Sequence, residues 1–375
     1  MRVFLQSLIA QLLLNPYVFW HGRQALPVRG AWRPSFALLF LLELAVYTAG
    51  YIFHKTLPDD IMIAIMQVCG AWYVGLVYAT IFLLLLDCVR LSNRVFPWYP
   101  AWVVRRWGEL RRASFIICIT GVVSILVYGY HRVATPVVRH LNISVPKGEG
   151  CAPDSLTVVL MTDLHIGEII DGDMVRRYVE LSNAQHPDIV LIGGDLVDYE
   201  VRFAQKARAQ DDLRRLESKD GVYAIYGNHE YRANRHEKEK WIRSTGAALL
   251  IDSAVLIRGS FYIVGRDDAV NRRRAALHSI VKGLDRTKPL VVLDHQPVTP
   301  SELVMNGAAL GLHGHTHNGQ LWPYSLALRF VYQCPYGYYT KGGTQFYISS
   351  GIGAAGPPYR VGTVSELVVL HLRLE

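Results

Sequence analysis

Residues 308–320 begin Ala308-Ala309-Leu310-Gly311-Leu312 and end Asn318-Gly319-Gln320. The first run reads as a buried strand and the last as a turn. Between them, after His313, stands Gly314-His315-Thr316-His317. Two imidazoles two residues apart, just past a strand, can be aimed from one loop at one small volume. Glycine ahead of them lets the backbone approach closely. Imidazole suits zinc, iron and other first-row transition metals. Paired histidines also occur in ordinary loops, so the meaning of this stretch depends on what the other strand ends deliver.

Working outward, each further apolar, β-rich run in this half of the chain ends in the same kind of chemistry. After Leu156–Met161 comes Thr162-Asp163-Leu164-His165, and after Ile189–Ile192 comes Gly193-Gly194-Asp195-Leu196-Val197-Asp198. After Val222–Tyr226 comes Gly227-Asn228-His229-Glu230, and after Leu290–Leu293 comes Asp294-His295-Gln296-Pro297. Singly, each has an ordinary explanation: Asp195 as a helix cap, Asn228 in a turn, His295 as a satisfied core histidine. Together they put carboxylate, amide or imidazole groups at five strand ends. If the strands share a sheet, the loops lie side by side. Segments of helical spacing (173–184, 203–216, 236–244, 275–281 and 300–305) alternate with these strands, and 248–265, 346–349 and 367–372 supply more strands. The alternation predicts an α/β layered domain with functional loops at the carboxyl ends of strands. Oxygen and nitrogen ligands without thiolate suit manganese, iron or zinc rather than calcium. So many ligands exceed the needs of one ion and suit two, ~3.5–4 Å apart, sharing a bridging carboxylate.

The ordered set DLH, GGDLVD, GNHE, DHQP and GHTH resembles the calcineurin-like metallophosphoesterase superfamily. The blocks GHTHNGQ and GIGAAGPPYRVGTVSEL resemble its branch of membrane-tethered or exported bacterial phosphoesterases. The resemblance runs from about Thr157 to the C-terminus. It implies a four-layer α-β-β-α sandwich with the site at the strand ends. Carried over by residue, it puts Asp163, His165, Asp195 and His317 on one divalent ion, and Asp195, Asn228, His295 and His315 on a second. Asp195 bridges them. It makes His229 the catalytic group over the reacting phosphorus and Asp198 the carboxylate that orients its ring. The activity implied is phosphoester hydrolysis by a hydroxide held between the two ions.

The first third of the chain is different. Apolar runs at 3–20, 36–53, 61–86 and 115–130 approach or exceed the ~17–25 residues needed to cross a bilayer. Four spans are expected, with a multi-span domain over 1–135, a linker over 136–155 and the phosphoesterase domain over 156–375. Glu43 inside the second run is costly to bury as an anion; it is either protonated, turned to another helix or near the interface. Of the formal net charge of +8, much is arginine between the runs. Arg23, Arg29 and Arg33 lie in one loop, and Arg90, Arg94, Arg105, Arg106, Arg111 and Arg112 in another. Such loops face the cytoplasm. The N-terminus and the catalytic domain are therefore expected outside it, in a protein integral to the bacterial cell membrane. The bilayer is the expected partner, with a phosphoester, phosphodiester or pyrophosphate substrate for which a lipid-linked form is a candidate.

Several features stay open at this stage. His313, at alternating spacing with His315 and His317, either faces the site or supports it. Asp294 reads as support or surface charge, and Glu230 as structural. Arg266 and Arg272-Arg273-Arg274 read as a solvated face or a contact for anionic lipid. Aromatic residues from Trp322 to Tyr339 read as a substrate lip, an interfacial surface or loop packing. Arg360 binds a substrate phosphate or pairs with a carboxylate. Of five cysteines, Cys151 and Cys334 could pair. Rival functions are a sensor or transport unit with a phosphoesterase output domain, and a nuclease. The near absence of charge within the runs argues against transport. No basic stripe with interleaved aromatics flanks the motifs, so no nucleic acid is expected.

Overall fold

The computed structural model describes residues 2–148 and 154–375. The chain forms two compact units, Met1–Gly129 and Tyr130–Glu375. In the first, α1 (Arg2–Ala25), α2 (Trp32–Ile52) and α3 (Asp59–Val95) are followed by a short α4 (Ala101–Arg105) and by α5 (Trp107–Ala134), which runs on into the second unit. Among the described residues, α2, α3 and α5 are the three helices long and apolar enough to cross a membrane. The expected fourth, α1, forms as a helix but is not among them. Its sequence is broken by Gln6, Gln11, Asn15 and Pro16. Glu43 turns to another helix: Asn15 donates to its carboxylate at 3.5 Å, and Trp72 Nε1 donates to Asn15 at 3.0 Å.

The second unit begins with a departure from expectation. Residues 137–145, read as linker, form strand β1 (Val137–Val145), paired in parallel with the last strand. Its alternation Leu141-Asn142-Ile143-Ser144-Val145 is a period-two pattern, hidden in the sequence by the Pro146, Gly148 and Gly150 that follow. Cys151 lies outside the described residues, and with it the possible pairing to Cys334.

The remaining elements follow in order. They are β2 (Asp154–Met161), α6 (Gly172–Asn183), β3 (Ile189–Ile192), α7 (Val201–Lys206), α8 (Ala209–Leu213), β4 (Val222–Ala224) and α9 (Arg235–Ser244). Next come β5 (Ala248–Leu249), β6 (Ser253–Ile257), β7 (Phe261–Gly265), α10 (Leu277–Val281), β8 (Leu290–Leu293), α11 (Pro300–Met305) and β9 (Leu310–His313). Last are α12 (Tyr324–Leu328), β10 (Gly337–Lys341), β11 (Thr344–Ile348) and β12 (Glu366–Leu374). The helix expected over 203–216 is two short helices, α7 and α8, and starts two residues earlier.

The strands make two six-stranded sheets, ordered β1-β12-β2-β3-β4-β5 and β10-β11-β9-β8-β7-β6. One core joins them: Val158, Leu160, Ile189, Leu191 and Leu370 from the first sheet pack with Ile263, Val291, Leu293, Leu310 and Leu312 from the second. The other face of the second sheet is covered by α10 and α11 through Leu277, Val281 and Leu303. Helix α6 lies against β12 of the first. The result is the expected α/β sandwich with helices outside two sheets. Fully buried strands of this kind are continuous apolar runs (Ile189-Val190-Leu191-Ile192, Leu290-Val291-Val292-Leu293) rather than alternating ones.

Leu370 sits in the shared core of both sheets, 1% exposed. Leu370→Ala is expected to destabilise the domain by about 2–5 kcal/mol, read as a fall in the melting temperature of the full chain.

Candidate metal centre

The five strand ends do not share one sheet. β2, β3 and β4 belong to the first sheet, β8 and β9 to the second. Their carboxyl ends still meet, because the two sheets pack face to face and their loops converge at one edge of the sandwich. All nine site residues expected from the sequence come together there.

Asp163, His165 and His317 each offer a ligand atom within 4.8 Å of one another, as do Asp195, His295 and His315. His165, Asp195 and His229 form a third such group. Asp195 stands between the first two: its Oδ2 is 3.1 Å from His295 Nε2 and 3.7 Å from His165 Nε2. Asn228 Oδ1 is 2.7 Å from His315 Nδ1. His317 Nε2 lies 3.0 Å from His165 Nε2 and 3.4 Å from Asp163 Oδ1. His229 Nδ1 is 2.5 Å from Asp198 Oδ1, which also lies 3.4 Å from His165 Nδ1.

The backbone is bent to achieve this. Asp163, His165, Asp195, His315 and His317 all have left-handed φ, between 49° and 71°. Non-glycine residues adopt this conformation at a cost that the surroundings must offset, and such residues gather at functional sites. Two glycines are required by close approach rather than by φ. A Cβ at Gly227 would collide with the Asp195 carboxylate, and one at Gly314 with that of Asp163.

Charge and donor chemistry fit divalent cations. Burial favours the neutral form of Asp195, but the imidazoles of His295 and His229 hold it well below the usual carboxylate range. Burial likewise opposes Asp198, and His229 and His165 pull it down. His315 is pushed to about 3 by burial and by His295; burial and His165 also lower His317. Both therefore present lone pairs at neutral pH. His295 Nδ1 faces the Gly193 carbonyl at 2.8 Å, which holds the ring so that Nε2 points inward at Asp195, and against the effect of burial that carboxylate raises the His295 pKa. That Nε2 is buried and makes no hydrogen bond despite its closeness to Asp195. An orphaned, inward-facing imidazole nitrogen among carboxylates is what a cation would satisfy.

Buried charges stand behind the loops: Glu230, read from the sequence as structural, and Lys238, which the sequence does not single out. Glu230, fully buried, accepts hydrogen bonds from the backbone N–H groups of Asp195, Leu196, Val197 and Gly227 at 2.7–3.1 Å. It locks the β3 and β4 loops together. Lys238 on α9, also fully buried, donates to the carbonyls of Val197, Asp198 and His229. Arg360, read as a partner for a substrate phosphate or a carboxylate, makes no carboxylate ion pair among the described residues. It is fully buried and donates to the carbonyls of Ser350, Gly351, Gly353 and Val364, with Nη2 3.1 Å from His317 Nδ1. Asp294 is buried between Arg266 and Arg274, so two of the four arginines read as a solvated face are internal. His313 is buried with Nδ1 against the Asp294 carbonyl and its ring stacked on Phe346, 6.1 Å away. It is a core residue rather than a ligand.

An α/β sandwich with paired carboxylate–imidazole clusters at its strand ends defines a metal-dependent hydrolase class. Residues 156–319 match the family model of the calcineurin-like phosphoesterases, and the chain carries a calcineurin-like metallophosphoesterase domain. It is 28% identical to an uncharacterized metallophosphoesterase of Helicobacter pylori strain J99, over 99% of this chain and 98% of that one. It is 31% identical to one from strain 26695, over 65% of each. A transmembrane protein with metallophosphoesterase domain from Danio rerio is 27% identical over 99% of this chain and 89% of its own.

Glu230→Ala would leave four buried N–H groups without acceptors, each orphan costing about 1–3 kcal/mol. A sharply lowered melting temperature is expected for this variant, with Glu230→Gln intermediate because one amide oxygen remains to accept.

Proposed function

We propose that this chain is a membrane-anchored, two-metal phosphoesterase whose catalytic domain lies outside the cytoplasm, acting on phosphodiester or pyrophosphate bonds. The observation that carries the reading is the pair of clusters, Asp163/His165/His317 and Asp195/His295/His315, meeting at the Asp195 carboxylate. Asn228 completes the second cluster. Manganese, iron and zinc all suit this oxygen and nitrogen donor set. Two bound cations lower the pKa of water and offset phosphate charge.

The chain's own groups then divide the work. Asp195 belongs to the second cluster and, 3.7 Å from His165, borders the first, and so sets their spacing. His229 holds Nδ1 on Asp198, which fixes the ring and leaves Nε2 free toward the reacting oxygen. Burial disfavours a proton on His229, but Asp195 and Asp198 outweigh it and raise its pKa. His229 is thereby kept charged, able to stabilise the phosphoryl oxygens and to give its proton to the leaving alkoxide or phosphate. Lys238, by gripping the carbonyls on either side of Asp198 and His229, keeps that pair in place.

The membrane part of the reading is supported by the three apolar helices, by relatives described as transmembrane proteins, and by the arginine bias of the loops. On this reading α1 supplies the fourth span.

The full chain supplied with Mn²⁺ is expected to hydrolyse an aryl phosphodiester, and Asp195→Ala to abolish this; equal rates would refute the site. Chelation is expected to lower the melting temperature as well as the activity, and added Mn²⁺ to restore both. An enzymatic reporter that works only outside the cytoplasm is expected to be active when fused to the C-terminus. Silence there, with activity of a cytoplasmic reporter, would reverse the topology.

A further inference from the structure

The phosphoesterase domain carries one concentrated exposed apolar surface, and it stands beside the metal centre. Phe330 is 91% and Val331 71% exposed, and Tyr324, Leu326 and Trp322 are about half exposed. All fall on one excursion built around α12, directly after the histidines of the β9 loop. Large contiguous apolar patches on soluble domains mark contacts with other molecules or with membranes. The excursion is rooted in the site at both ends. On the way out, the backbone N–H of Trp322 donates to the Val361 carbonyl at 2.8 Å. On the way back, the Tyr332 ring stands edge-on to the His315 ring at 6.4 Å, and Thr316 Oγ1 donates to the Pro335 carbonyl at 2.6 Å.

Composition and connectivity say what covers this surface. From Leu321 to Tyr332 the only charged side chain is Arg329. Tryptophan, tyrosine and phenylalanine with a lone cation are the residues of a membrane interface, and the cation suits anionic headgroups. The returning segment of the excursion reaches Tyr336, just before β10, whose ring lies 5.8 Å under the Arg139 guanidinium. Arg139 and Tyr336 share the Glu366 carboxylate, both at 2.9 Å. Arg139 is the third residue of β1, and β1 begins at Val137, three residues past the end of α5 at Ala134. Three residues reach about 10 Å at most. The base of the excursion is therefore packed where the chain enters the domain from a helix apolar enough to cross a membrane.

We infer that residues 322–331 form a lip that dips into the lipid bilayer, and that the bond cleaved belongs to a membrane amphiphile whose phosphoester lies at headgroup level. The substrate part of this rests on the phosphoesterase reading above. The lip part does not. An amphiphile held by its tail in the bilayer presents its phosphate laterally, so the enzyme need not extract it into water. Lip contact sets the height of the metal centre above the interface.

The test uses the 375-residue chain in phosphatidylethanolamine–phosphatidylglycerol bilayers. A benzophenone side chain in place of Phe330 is expected to cross-link to the acyl chains of radiolabelled phosphatidylglycerol, while the same group in place of the exposed Lys240 is not. No labelling at position 330, or equal labelling at both, overturns the lip. In the second arm, Phe330→Asp with Val331→Asp is expected to slow cleavage of a bilayer-embedded fluorescent phosphoester lipid by about tenfold or more. Cleavage of a soluble aryl phosphodiester is expected to stay at the parent rate. An equal fall on both substrates, or no fall on the lipid, overturns the assignment of substrate class. A parent chain that cleaves neither sinks the phosphoesterase reading, and the cross-linking alone then decides the lip.

Discussion

The buried carboxylate of Asp195 is the constraint on which the centre depends. Its Oδ2 faces His295 and His165, and its Oδ1 accepts from the His229 backbone N–H at 2.8 Å. A carboxylate taken out of water must be surrounded by donors or cations, and here nearly every neighbour is recruited to that end. Gly227 has no side chain because the carboxylate occupies the space. The β3 loop takes a left-handed turn to present it. Glu230 stands behind the turn and collects the N–H groups that this backbone would otherwise leave unpaired.

The chemistry was legible in the sequence because it is local. Each ligand pair, Asp163 with His165 or His315 with His317, lies within four residues of a strand end, so the apolar run beside it announces its position. What was not legible is what arrives from a distance. Arg360 comes from the loop before β12 and reaches carbonyls around Gly351 and the ring of His317. Lys238 comes from a helix in which Arg235 to Lys240 are almost all charged. A lone buried cation leaves no periodic trace. The same holds for Asp294, whose partners Arg266 and Arg274 are more than 19 residues away. The strands that escaped sequence reading, β1 and β10, lie at the edges of their sheets, where half the residues face water and the apolar signal thins.

These distant cations share a task. Lys238 and Arg360 each bind backbone carbonyls rather than carboxylates, and so hold loops in shape without neutralising the acids they surround. The positive charge of Arg360 lies next to His317, and that of Lys238 behind Asp198. Burial lowers the pKa of Arg360 to about 10, which still leaves it charged at neutral pH.

Neither cluster draws its ligands from one sheet alone. Asp163 and His165 follow β2 and Asp195 follows β3, in the first sheet, while His295, His315 and His317 follow β8 and β9 in the second. The two sheets also meet through apolar side chains in their shared core and through hydrogen bonds such as Tyr347 Oη to Glu366 at 3.0 Å and Gln345 Nε2 to the Ser144 carbonyl at 2.7 Å. A cation seated in either cluster acts as a rivet through both layers and resists shear between them. The same atoms that would activate water thus also set the mechanical register of the sandwich, so that a slip of one sheet past the other would be felt first as a loss of metal.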